Sequence, residues 1–198
     1  LYVALASDSA FSPDAASAGR RALRNACLRY LTAADDEDAA KIAVAHYRTA
    51  ANMTDMIAGL AALSRMTSPR ANVEFAHFYD RFKNDPLVLD KWMGLQALSP
   101  RADTAERVRA LMGHPAFDIK NPNRVRALVG AFSANQLRFH AVDGSGYKLV
   151  GEIIRTLDGF NAQVAARMAG AFETWRRFDS ERQALMRQEL EAIAKTPG

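Results

Sequence analysis

Asn121-Pro122-Asn123-Arg124-Val125-Arg126-Ala127-Leu128-Val129-Gly130-Ala131-Phe132 is followed, after Ser133 to Val142, by Asp143-Gly144-Ser145-Gly146-Tyr147. Asn121 is a helix-capping residue, and Pro122 suits the first helical position, where no amide hydrogen bond is lost. Val125, Leu128, Val129 and Phe132 recur at helical spacing and predict one buried face. Arg124 and Arg126 are two apart, so they point about 200° away from each other around the axis. One is expected in solvent and the other on a concave or buried surface. Asp143-Gly144-Ser145-Gly146 predicts a tight turn, after which Tyr147 opens a new helix.

Working outward, the same punctuation recurs. Ser12-Pro13, Asn52, Ser68-Pro69, Asn84-Asp85-Pro86, Asn161 and Asp179 each precede an apolar-periodic run. Helix starts are predicted near 13, 37, 53, 69, 86, 103, 122, 146, 161 and 179, with no strand. A helical pair then occupies roughly 33–43 residues, the period of α-solenoids of the HEAT or armadillo kind. The expected fold is all-α: a superhelical α-solenoid of such pairs, about ten helices, in a single domain over 1–198. Leu23, Ala26, Cys27, Tyr30 and Leu31 form the apolar side of the first helix. Val73, Phe75, Phe78, Tyr79 and Phe82 form an aromatic stripe read as core. The run Asp35-Asp36-Glu37-Asp38 is read as a helix N-terminus, where carboxylates favour the dipole.

Composition narrows the function. Hydrophobic residues make up 49% of the 198, enough for a sizeable core. No run approaches 18 apolar residues, so no membrane-spanning helix is expected. The net charge of +4 comes from arginines and lysines interleaved with acids, which describes a solvated surface rather than a nucleic-acid patch. Cys27 is the one cysteine, read as a small buried hydrophobe. The chain begins at Leu1 without Met or a signal-peptide pattern and is expected to be part of a longer polypeptide. His46, His77, His114 and His140 show no spacing for joint metal ligation, and no catalytic constellation is visible.

Arg126 and Arg167 stand out because each lies in an apolar segment. A guanidinium buried there needs an anion. That anion is either an internal Asp or Glu or a ligand carboxylate gripped by two hydrogen bonds. Gln163 lies one helical turn before Arg167 and on the same face.

Asn121-Pro122-Asn123-Arg124-Val125-Arg126, Phe139-His140 and Asp143-Gly144-Ser145-Gly146-Tyr147 resemble the C-terminal domain of the bacterial aminopeptidase N family, zinc metallopeptidases. So do Gly19-Arg20-Arg21-Ala22-Leu23-Arg24-Asn25-Ala26, Asn52-Met53-Thr54-Asp55, Leu89-Asp90-Lys91-Trp92 and Gln163-Val164-Ala165-Ala166-Arg167-Met168. The resemblance implies an enzyme whose zinc-bound water attacks the peptide carbonyl in an upstream domain. The C-terminal domain would close over that site, restrict peptide entry and touch the substrate beyond the scissile bond. Matched residue by residue, it assigns substrate-binding roles to Arg126, Gln163 and Arg167, with no catalytic residue, metal or cofactor in this chain. Implied partners are the upstream catalytic domain and peptide substrates, without nucleic acid or membrane, in the cytoplasm. It also implies that the family's tail continues past Gly198. The alternative reading is a free-standing helical-repeat scaffold that binds a protein partner on its concave face.

Overall fold

The computed structural model describes residues 1–7 and 10–196; the terminal Pro197-Gly198 lies outside them. Helices and turns make up the described residues, with no strand among them. All ten predicted helix starts fall within two residues of an observed one. The capping chemistry explains that agreement. Asp36, Asn52, Asp85, Asn121, Asn161 and Asp179 each accept a backbone N–H of their own first turn. At the first helix the cap is Asp14 rather than Ser12. Its carboxylate accepts the Ser17 N–H at 2.9 Å and the Ser12 hydroxyl at 2.5 Å.

Cα packing divides the chain into two compact units, Leu1–Phe82 and Lys83–Gly198. The first holds α1 (Ala15–Leu31), α2 (Glu37–Arg48), α3 (Met53–Ser64) and α4 (Arg70–Phe82). α3 packs on α1, α2 and α4. A Cβ on Gly59 of α3 would lie 2.7 Å from the Tyr47 Cβ of α2, so only glycine allows that approach. Two of the quoted motifs meet between α1 and α3. Asn25 and Asn52 donate to the two oxygens of the buried Asp55 carboxylate, each at 2.9 Å. Phe75 and Phe78 are core, as the aromatic stripe predicts, but Val73 is exposed.

The face of α1 is a correction. Leu28 is its one fully buried residue, while Leu23, Tyr30 and Leu31 are exposed and Cys27 is only half-buried. Two arginines of this helix make ring contacts instead: the Arg21 guanidinium lies 4.6 Å from the centre of the exposed Phe11 ring, and the Arg24 guanidinium 4.9 Å from that of Tyr2.

The second unit begins with α5 (Pro86–Ala97) and α6 (Thr104–Met112). A continuous helix follows over 122–133, made of α7 (Pro122–Val125), a π-helical turn (Arg126–Gly130) and α8 (Ala131–Ser133). Next come the short α9 (Gln136–Phe139), which the periodicity does not reveal, and α10 (Ser145–Asp158), α11 (Ala162–Ala169) and α12 (Ser180–Ala194). Residues 143–146 form the predicted tight turn. Gly144 has φ +71°, and a Cβ on Gly146 would sit 2.4 Å from the Phe139 carbonyl oxygen. Glycine there lets Tyr147 reach the Nδ1 of His140 at 2.9 Å, with both rings buried beside Phe139. α12 buries Met186 fully, and its other apolar residues stay partly open.

Three histidines pair with a tyrosine hydroxyl through Nδ1: His46 with Tyr2, His77 with Tyr47 and His140 with Tyr147, at 2.7–2.9 Å. Burial lowers the pKa of His46 and of His140, helped by the nearby Arg24 and Arg182 charges respectively.

Two predictions follow from this packing. Gly59→Ala should lower stability by about 1–2 kcal/mol, overpacking outweighing the better helix propensity of alanine. An unchanged urea midpoint would show that α2 and α3 can part at no cost. His46 and His140 are held neutral in the folded chain and titrate near 6.5 when unfolded. The unfolded state therefore binds more protons below that pH, and stability should fall as pH drops through about 6.5. Denaturation midpoints at pH 7.5 and 5.5 test this, and His46→Gln with His140→Gln should flatten the difference.

Candidate functional site

The 122–133 helix is positioned by α5, and the Asn-Pro-Asn-Arg-Val-Arg motif divides the work residue by residue. The Asn121 side-chain oxygen accepts the N–H groups of Asn123 and Arg124, at 3.0 and 3.3 Å. Arg124 is the inward arginine. Its Nη1 donates to the Pro86 carbonyl at 3.0 Å and ion-pairs with the Asp90 carboxylate, both on α5. Val125 is fully buried. Arg126 points the other way and is exposed, as the split of the two arginines requires. Its Nη2 donates to the Asn123 side-chain oxygen at 2.7 Å.

The far end of this helix is tied to α5 as well. The Asn135 amide donates to the Ala97 and Ser99 carbonyls at 3.0 and 2.7 Å. Midway, a Cβ on Gly94 of α5 would lie 3.4 Å from the Ala127 carbonyl oxygen. The two helices therefore run alongside each other in the same direction at close range.

Within the helix the N–H of Ala131 bonds to the carbonyl of Arg126, five residues back, which makes one π turn. Residues four apart in an ideal α-helix drift about 40° around the axis, so a row at 122, 126, 130 and 134 would wind through about 120°. A π turn takes more residues per revolution and turns the row back. Pro122, Arg126, Gly130 and Ala134 accordingly line one open cavity of about 340 Å³. The opposite wall is α11, through Val164, Arg167 and Met168. That volume falls within the range of small-ligand sites.

Arg126 and Arg167 are thus brought together on one cavity, although they are 41 positions apart in sequence. The expectation that both are buried among apolar residues is corrected, since both are exposed, and neither has an ion pair among the described residues. The buried neighbours are Val125 and Leu128 on one helix and Ala165 and Met168 on the other, while the arginines stay open to solvent. Gln163 is exposed on α11 and is not among the cavity's lining residues. Among the described residues no three His, Cys, Asp or Glu side chains converge to hold a metal ion. The cavity offers two guanidinium groups and an apolar floor, which suits binding an anion that carries apolar substituents. No helix among the described residues is long and apolar enough to cross a membrane.

Residues 1–198 match the DUF3458_C family, described as a domain of unknown function with ARM repeats. The chain belongs to this family of ARM-repeat domains. It is similar to aminopeptidase N of Caulobacter vibrioides, 43% identical over 188 residues, which are 94% of this chain and 22% of that protein. It is also similar to aminopeptidase N of Escherichia coli, 40% identical over 175 residues, 88% of this chain and 20% of that one. A crystal structure of Legionella pneumophila aminopeptidase A in complex with aspartic acid superposes with a TM-score of 0.89 at 34% identity. That superposition covers 98% of this chain and 24% of the other. The chain therefore spans about a fifth to a quarter of the length of these relatives. The resemblance drawn from the motifs agrees with these comparisons: the chain is an all-helical member of this ARM-repeat family and is similar to one part of aminopeptidase N in both organisms.

In this ARM-repeat domain the Arg124–Asp90 pair carries the placement of the site. Arg124→Ala should cost about 2–3 kcal/mol, below the usual figure for a broken buried pair because Asp90 keeps partial contact with water. Chemical denaturation measures this, and a loss under about 0.5 kcal/mol would mean that α5 holds the helix without it.

Proposed function

We propose that this chain is the substrate-facing domain of a zinc-dependent aminopeptidase that removes N-terminal residues from peptides. In this reading the zinc and the bond-cleaving groups belong to an upstream domain of the same polypeptide. The 198 residues act together as one domain that covers the active site, restricts entry and holds the part of the peptide beyond the scissile bond. The enzyme works in the cytoplasm on free peptides.

One observation carries the reading. Arg126 and Arg167, from two different helices, line the same cavity, and among the described residues no carboxylate is paired to either. Two cationic side chains lining one cavity give an anion charge-assisted hydrogen-bond donors on two sides. A peptide's terminal carboxylate fits both forks, and Val164 and Met168 give its last side chain an apolar surface. Gln163, a turn before Arg167 and open to solvent, supplies an amide for the peptide backbone.

Steady-state kinetics of the full-length enzyme test the proposal. Arg126→Ala with Arg167→Ala should raise KM for tripeptides about tenfold or more, each exposed charge contact being worth about 1 kcal/mol. KM for single-residue amides, which stop short of this cavity, should rise much less. Equal losses on both substrate types would remove the role in holding the distal peptide.

A further inference from the structure

We infer that Asn123 and Gly130 are positioning residues for Arg126, acting together with the π turn that begins at Arg126. The inference rests on the proposed role of Arg126 and adds the residues that set its guanidinium in place.

Arg126 is exposed, and an exposed arginine samples many rotamers unless something holds it. Three features place this one. The Asn123 side-chain oxygen accepts from Arg126 Nη2 at 2.7 Å, which fixes the head of the side chain one helical turn back. Asn123 is itself held, because its backbone N–H donates to the Asn121 side-chain oxygen at 3.0 Å. Gly130 leaves room for the stem. A Cβ there would lie 3.4 Å from Arg126 Cγ and 3.9 Å from its Cβ, so alanine would just touch the stem and anything larger would need its space. Last, the i→i+5 bond from Ala131 to Arg126 aligns Pro122, Arg126, Gly130 and Ala134 on the cavity side of the helix.

The division of roles is specific. Arg126 touches the peptide, while Asn123 and Gly130 act only through it. With one nitrogen engaged by Asn123, the guanidinium keeps its remaining N–H groups for the ligand carboxylate. The ordering entropy is thereby met before the peptide arrives rather than on binding.

A double-mutant cycle in the full-length enzyme tests this. Asn123→Ala and Gly130→Val should each raise KM for a tripeptide by roughly threefold to tenfold, the range one hydrogen bond is worth. KM for a single-residue amide should rise less, and Gly130→Ala should lie close to wild type. Combined with Arg126→Ala, neither substitution should add a further loss, because the group they position is gone. Thermal melts check that each variant is folded; Asn123 is exposed near a helix start, where alanine is tolerated. If Arg126→Ala raises the tripeptide KM but Asn123→Ala and Gly130→Val do not, the positioning inference falls and the role of Arg126 stands. The same holds if their effects persist undiminished beside Arg126→Ala. If Arg126→Ala itself leaves the tripeptide KM unchanged, the reading of the cavity and this inference fail together.

Discussion

The ion pair between Arg124 and Asp90 is the constraint on which the second unit's site depends. A guanidinium this well buried is stable only with an anion beside it, and α5 provides Asp90, with the Pro86 carbonyl as a second acceptor. With that end pinned, and the other tied by Asn135 to the end of α5, the rotation of the 122–133 helix about its own axis is settled. Which residues then face the cavity follows from helical geometry. Arg126 is on the open side because Arg124, two positions before it, is on the closed one.

Much of this fold was legible in the sequence, for a local reason. Helix starts are marked by side chains that bond their own first turn, and Asp36, Asn52, Asp85, Asn121, Asn161 and Asp179 do so where the apolar periodicity begins. The turn at 143–146 was legible because a left-handed Gly144 and a Gly146 pressed against a carbonyl leave little choice of residue. Burial was harder to read. On α1 the apolar residues Leu23, Tyr30 and Leu31 lie outside, while the partly buried Arg21 and Arg24 set their guanidinium groups over the Phe11 and Tyr2 rings. A periodicity that counts arginine as polar does not anticipate its stacking on a ring.

The site was legible in its members but not in its mechanics. Arg126 and Arg167 were singled out for apolar neighbours that turn out to face the core behind them. The arginine that answers to that description is Arg124, whose partner Asp90 is 34 positions away, and a single sequence does not display such a pairing. The π turn leaves still less trace. It is a shift of one backbone hydrogen bond, and residues 126–130 have the composition of any helix. Gly130 is the one hint, and glycine within a helix has several meanings.

The π turn also bears on how this segment can change in length. Arg124 and Asn135 are both anchored to the same neighbour, with the wide turn between them. Adding or removing one residue there would rotate everything beyond it by about 100°. Asn135 would swing away from Ala97 and Ser99, or Arg124 from Asp90. The stretch between the two anchors is therefore a ruler of set length, where single insertions and deletions are resisted even though many side-chain exchanges are not.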